Sequence, residues 1–246
     1  MSLSISIIVA TYNSDKHLAE CLRSVVNQTY TNWELIIIDG GSTDNTVSII
    51  KEYERYIKYW VTEQDSGIYD AWNKGLKAMS THWVCFVGSD DVLHAEALGD
   101  YATHISFHPQ VESLEFVSSY IELVDEHLNH LKTVGAAWEW NTFKISMTTW
   151  HVGCMHSRLL FEKYGLFDSS FKISGDYELL LRPADKLVSS FVNKVTAKMR
   201  NGGVSSNQLM KASKETYMAK IKNHIISRSK GYALMIVDSI RLYIRK

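Results

Sequence analysis

"VCFVGSDDVL", residues 84–93, runs a short apolar stretch through Gly-Ser into two adjacent carboxylates, Asp90 and Asp91. Two negative charges at the end of a buried strand repel each other, and neither has an obvious local partner. An isolated acid pair of this kind is ordinarily a solvated loop or a helix start. Its neighbours in the chain decide otherwise.

Upstream, "SISIIVA" (4–10) is a continuous β-branched run suited to a strand buried on both faces. Leu18, Cys21, Leu22, Val25 and Val26 then fall at helical spacing, predicting an amphipathic helix over 15–28. "WELIIID" (33–39) is a second buried strand, and Ser42, Thr43 and Asp44 are candidate N-caps for a helix reaching about residue 56. A strand at 57–63, a helix at 68–79 and a strand at 82–88 complete a βαβαβαβ rhythm. That rhythm predicts a mostly parallel sheet with helices on both faces. Ligands of such sheets bind outside the carboxyl ends of the strands. Here those ends read "ATYN" (10–13), "IDGGSTD" (38–44), "EQDSG" (63–67) and "VGSDD" (87–91). Four polar or acidic strand ends along one edge predict one crevice.

Beyond residue 110 the rhythm changes. Strands are expected at 114–125, 131–140 and 189–200, helices at 157–164 and 176–187, and two helical segments split by "SKGY" in 207–246. Composition is that of a globular chain, with 46% hydrophobic and 22% charged residues. The net charge of -1 gives no footprint for nucleic acid. It hides an asymmetry, because residues 204–246 carry nine Lys/Arg against two acids, +7, leaving -8 on the first 203. Cys21, Cys85 and Cys154 lie far apart in apolar contexts, as expected of buried free thiols in a reducing compartment. The opening residues lack the basic and small-residue pattern of a signal peptide, and no apolar run is long enough to span a bilayer, so a cytoplasmic protein is expected.

The acids Asp39, Asp44, Asp65, Asp90, Asp91 and Asp176 suit a hard divalent cation bound by one or two carboxylates, with phosphate and water completing its shell. Adjacent residues of an extended chain point to opposite sides. Asp90 and Asp91 are therefore expected to divide their work, one on the ion and one on a ligand hydroxyl. Neither a P-loop nor a G-x-G-x-x-G motif is present. More ordinary duties compete: Asp44 and Asp176 as helix caps, Asp39 as a strand end, Asp65 as a turn former, His151 and His156 as packed histidines, Trp138 and Trp140 as core.

"SIIVATYN", "LIIIDGGSTDNT", "EQDSGIYDAWNKG" and "FVGSDDVL", in this order and spacing, resemble family 2 glycosyltransferases of the GT-A fold. "HVGCMHSRLLFEKYGLFDSSFKISGDYELLLR" (151–182) is similar to the acceptor-side half of bacterial members. The resemblance spans roughly residues 4–190. It implies an α/β GT-A domain with a nucleotide-sugar half (1–110) and an acceptor half (111–203); the charge shift after Gly203 marks a separate basic helical tail (204–246). It also implies inverting transfer from a nucleotide-sugar, usually a UDP-sugar, with Mn²⁺ or Mg²⁺, to a glycan or lipid-linked acceptor. By position Thr11 and Tyr12 would contact the base and Asp39 would hydrogen-bond it. Asp65 would touch the donor, Asp90 the ribose or sugar, and Asp91 the metal, while Asp176 would be the general base. Three departures stand out. Gly40 replaces a second acid, and Trp72 replaces an Arg, leaving Lys74 for the phosphates; Gly175 precedes Asp176 where many members have Glu. The alternatives are a non-catalytic nucleotide-sugar or glycan-binding module and a sugar-1-phosphate nucleotidyltransferase. The tail suggests peripheral attachment to an anionic membrane, its alternative being packing on the body or on a second copy in a homodimer.

Overall fold

The structure, a computed structural model, describes residues 3–203 and 208–244. The expected boundary at 204 and the basic residues Arg245 and Lys246 lie outside the described residues. The first half alternates β1 (Ile5–Thr11), α1 (Leu18–Val26), β2 (Trp33–Asp39), α2 (Thr46–Glu52), β3 (Ile57–Thr62), α3 (Ile68–Ala78) and β4 (Trp83–Gly88). The second half contains β5 (Val92–Leu93), α4 (Ala97–Ser106), β6 (Phe116–Val124), β7 (His130–Val134), α5 (Trp140–Phe143) and β8 (Cys154–Ser157). It continues through α6 (Arg158–Tyr164), α7 (Gly175–Leu181), β9 (Ser189–Arg200), α8 (Leu209–Lys222) and α9 (Arg228–Ile244).

All nine described strands join one sheet of order β3-β2-β1-β4-β8-β6-β9-β5, with β7 on β6. β3, β2, β1 and β4 are parallel, as the βαβ rhythm requires. From β4 onward the sheet is mixed: β8 is antiparallel to both β4 and β6, and β6 and β9 are parallel. β5 follows β4 closely in the chain yet pairs with β9 at the far end of the order. In a flat sheet those positions would lie about four strand spacings, roughly 19 Å, apart. The four-residue step from Gly88 to Val92 reaches at most about 14 Å. The second half therefore curls around the 88–91 turn.

Alternation along the strands sends Ile5, Ile7 and Val9 into one core with Leu22 and Val25 of α1 and Tyr101 and Ile105 of α4. Ile8, Ile36 and Ile38 face the other core, with Trp72 and Leu76 of α3, Leu160 of α6 and Leu179–Leu181 of α7. All three cysteines are free and buried. No described helix is long and apolar enough to cross a membrane.

Several elements differ from the sequence reading. The helix after β2 begins at Thr46, with Asp44 accepting from its N–H (3.0 Å), and a 3-10 turn replaces its end at Glu54–Tyr56. The expected strand 131–140 ends at Val134, because Gly135 turns with φ +129° against the Ser119 carbonyl. The helix expected to 187 stops at Leu181, two residues before Pro183, which has no N–H to donate. "SKGY" (229–232) does not itself break the helix: it lies in the first turns of α9, and the chain bends just before it, at residues 223–227. α4 and β8 were not anticipated.

Candidate active site

The parallel registers bring the strand ends into a row. Thr11 is level with Asp39, Asp39 with Thr62, and Ala10 with Gly88. The strand order reverses direction at β1, whose neighbours are β2 and β4, so a crevice opens between β1 and β4 at their carboxyl ends. Its floor is stitched together by loop contacts. Asn13 N–H donates to Ser42 Oγ (2.8 Å), Thr43 N–H to Asn13 Oδ1 (2.9 Å), and the Ser14 and Ser89 hydroxyls meet at 2.8 Å.

Thr11 is buried, and its Oγ1 has no hydrogen-bond partner among the described atoms. Next to it Tyr12 is 62% exposed, a free aromatic face at the crevice. Asp39 is fully buried. Its carboxylate accepts from the N–H groups of Gly41 (3.2 Å) and Ser42 (2.9 Å) and from the hydroxyls of Ser42 and Thr62, so it shapes the 40–43 loop from within. Asp65 accepts from Gly67 N–H (2.8 Å), and its other oxygen lies 2.8 Å from where a Cβ on Gly40 would sit. Gly40 thus makes room for Asp65. Lys74 is engaged elsewhere: its Nζ lies 2.8 Å from Glu63, 3.8 Å from Asp70 and 3.2 Å from the Gln64 carbonyl.

The acid pair is arranged differently from the extended-chain expectation. Residues 88–91 form a turn closed by Asp91 N–H to Gly88 O (3.0 Å), so Asp90 and Asp91 do not alternate. Both carboxylates come over Gly88, with oxygens 2.7 Å (Asp91) and 3.1 Å (Asp90) from the site of its absent Cβ. The extended-chain geometry from which their division of labour was argued is therefore not the one the turn adopts. Burial, and then the neighbouring Asp91, push the Asp90 carboxyl above the ordinary range. Arg200, buried at the end of β9, donates to the Asp90 carbonyl and to Glu20 and so holds the turn from behind.

Asp176 occupies the first turn of α7; the N-cap position belongs to Ser174. Its Oδ1 accepts from Tyr69 Oη (3.0 Å) and Tyr177 N–H (2.9 Å). Burial raises the Asp176 pKa, against the opposing pull of His151 and of those two donors. The ring of Tyr69 lies 2.7 Å from where a Cβ on Gly175 would stand, so glycine there is what lets Tyr69 reach its neighbour. His151 ties the two groups of acids together. Its Nε2 is 3.6 Å from Asp91 Oδ2, and its ring packs on Trp72 with centroids 5.4 Å apart. Burial tends to lower the His151 pKa, but Asp91, Asp176 and Asp90 together raise it.

Tyr69, His151 and Arg200 were not among the residues expected to form the site. The position of His151 follows from β8. Continuing the antiparallel β4–β8 register, Cys85 with Met155 and Trp83 with Ser157, brings residue 151 level with the 88–91 turn. Asp91, with the His151 imidazole beside it, offers two donors of the kind a divalent ion takes. Among the described residues no group of three His, Cys, Asp or Glu converges, so the rest of such an ion's shell would come from ligand and water.

The comparisons agree with this architecture. The chain is 30% identical over 215 residues to a PGL/p-HBAD biosynthesis glycosyltransferase of Mycobacterium bovis, covering 83% of this chain and 80% of that protein. It is 28% identical to an uncharacterized glycosyltransferase of Rickettsia prowazekii, over 71% of this chain and 57% of the other. Among solved structures, S. aureus TarS 1–349 in complex with UDP-GlcNAc superposes with a TM-score of 0.68 at 19% identity, covering 89% of this chain and 67% of that one. The chain spans 40% of the longer TarS chain. The mannosyltransferase PcManGT of Pyrobaculum calidifontis, in complex with GDP-Man and Mn²⁺, gives 0.68 at 16% identity over 93% and 66% of the two chains. These structures share the GT-A-type fold. The profile of glycosyl transferase family 2 matches residues 6–165, and the chain belongs to that family.

Proposed function

We propose that this glycosyltransferase moves a sugar from a UDP-sugar to an acceptor hydroxyl with inversion at the anomeric carbon. The observation that carries the reading is a carboxylate held by Tyr69, Asp176, mounted on α7 and so on a different element from the Asp90–Asp91 turn, with His151, beside Asp91, within electrostatic reach of both. Inverting displacement requires that arrangement: a base for the nucleophile and, apart from it, stabilisation of the leaving group. Asp176 takes the proton of the acceptor hydroxyl as its oxygen bonds to the anomeric carbon. The bond from that carbon to the phosphate oxygen breaks, and the nucleoside diphosphate leaves. Burial suits Asp176 to this task, because a raised pKa makes a carboxylate a stronger base.

Tyr12 offers its exposed ring to the base of the donor, with Thr11 Oγ1 a free hydroxyl beside it. Asp39 and Asp65 keep their assignment to the donor side, Asp39 chiefly by shaping the loop that receives it. The pairing of Lys74 with Glu63 and Asp70 argues against a role for it on the phosphates. Asp91, with Asp90 beside it, would hold Mn²⁺ or Mg²⁺, which when bound neutralises the diphosphate. Neighbours in complex with UDP-GlcNAc, and with GDP-Man and Mn²⁺, support the donor class and the metal. Calorimetric titration tests this part. UDP should bind wild type more tightly with Mn²⁺ than without, and Asp91→Ala should lose that difference; equal metal-dependent affinity in both proteins removes Asp91 from the role.

We further propose a glycan or lipid-linked acceptor, and a cytoplasmic protein that attaches peripherally to membrane through α9. α8 is tied to the body: Ala219 is fully buried, and Lys222 pairs with Asp168 (2.6 Å) and Glu178 (3.0 Å). In α9 the polar Asp238 turns toward α8, accepting from Tyr217 Oη (2.5 Å). Tyr232, Ile236, Val237 and Ile240 are left exposed, with Arg228, Lys230 and Arg241 exposed on the same helix. An outward apolar stripe flanked by basic residues suits an anionic lipid surface.

A further inference from the structure

We infer that His151 is a metal ligand of this enzyme, joining Asp91 on the ion that accompanies the donor diphosphate; the inference rests on the metal-dependent reading above. Among the groups around the 88–91 turn, His151 has the position for it. Its Nε2 faces Asp91 Oδ2 at 3.6 Å, too long for a good hydrogen bond and short enough for one ion to bridge the two atoms. Nitrogen and carboxylate oxygen together make a better set for Mn²⁺ than for Mg²⁺, which prefers oxygen throughout.

The surroundings hold the ring in place. It packs on the Trp72 indole at 5.4 Å, and Trp72 is itself fixed between Phe86 (4.6 Å) and Phe167 (5.2 Å). His151 begins the 3-10 turn His151–Gly153 that leads directly into β8, so its backbone is anchored by pairing with β4, the strand that carries the acid turn. Ligand and acid pair are thus mounted on adjacent strands. The neighbouring basic side chains are committed elsewhere: Arg200 to the Asp90 carbonyl and Glu20, Lys74 to Glu63.

Pulsed electron paramagnetic resonance of Mn²⁺ with UDP and the full-length protein tests the inference directly. Protein labelled with ¹⁵N only in histidine should show ¹⁵N modulation of the Mn²⁺ echo where unlabelled protein shows ¹⁴N. The signal should disappear in His151→Phe, which keeps a ring against Trp72, and Mn²⁺ affinity in the presence of UDP should fall about tenfold or more. The preference for Mn²⁺ over Mg²⁺ should shrink in the same variant. Mn²⁺ bound through Asp91 with no histidine nitrogen in its shell overturns this inference and leaves the metal reading intact. A wild-type protein that binds no Mn²⁺ with UDP overturns both. The wild-type spectrum decides the matter even if His151→Phe does not fold.

Discussion

Asp176, the proposed general base, carries a cost to the fold. Its pKa is raised by burial above the unfolded value of about 3.9. The sign follows from linkage: a group with a raised folded pKa favours the folded state fully below its unfolded pKa, and that contribution is lost as pH rises through the folded value. At neutral pH the ionised carboxylate therefore opposes folding. Asp176→Asn keeps an oxygen for Tyr69 and for Tyr177 N–H while removing the charge. Transfer should fall by about 10² or more. Thermal unfolding at pH 7 should come at a higher temperature than in wild type, with the difference closing toward pH 4. Normal transfer by this variant would exclude Asp176 as the base. Tyr69→Phe tests the neighbouring bond. The Tyr69 hydroxyl favours the charged carboxylate, so its loss should move the acid limb of the kcat/KM profile to higher pH. An acid limb that stays in place would show that Tyr69 has no influence on the base.

At the scale of elements, α8 and α7 are coupled through one carboxylate. Glu215 of α8 accepts from the backbone N–H groups of Lys172 (3.0 Å), Ile173 (2.8 Å) and Ser174 (3.0 Å), the three residues that lead into α7. Those donors lie just before Asp176, and the single proton of Tyr69 Oη is shared between the Ile173 carbonyl (2.7 Å) and Asp176 Oδ1 (3.0 Å). Glu215→Ala should cost about 1–3 kcal/mol by leaving N–H groups unpaired. It should also lower kcat more than it raises KM for the donor, because it loosens the proposed base and not the nucleotide crevice. Chemical denaturation and steady-state kinetics measure the two effects. A loss of stability with kcat intact would show that the connector is rigid without α8.

At the scale of the whole molecule, the basic tail divides into two helices with different duties. α8 is part of the body, and α9 covers it with its apolar stripe turned outward. Ile236→Asp combined with Ile240→Asp should abolish co-sedimentation with anionic vesicles at low salt and leave soluble-acceptor transfer unchanged. If the variant pellets like wild type, α9 is not the anchor. A wild-type dimer that becomes monomeric in the variant, without vesicle binding in either, would assign the stripe to a second copy.

The parallel half of the fold was legible in the sequence because its signals are local. Strands such as Ile5–Thr11 and Trp33–Asp39 are buried on both faces and read as unbroken β-branched runs, and α1 and α3 show their apolar face at helical spacing. The polar strand ends marked the crevice, since in a parallel sheet the carboxyl ends lie along one edge, where Thr11, Asp39 and Thr62 align. Three facts waited for the tertiary structure. A turn at 88–91, governed by the curl that returns β5 to β9, brings both acids to one side. β8 has four residues, too few to show a period, so nothing in the sequence could bring His151 to that turn. Gly40 and Gly175 looked like missing acids, and only packing revealed that each yields its space to a side chain distant in the chain, Asp65 and Tyr69. Local periodicity determines which segments are strands and helices; long-range pairing and close packing decide which side chains meet.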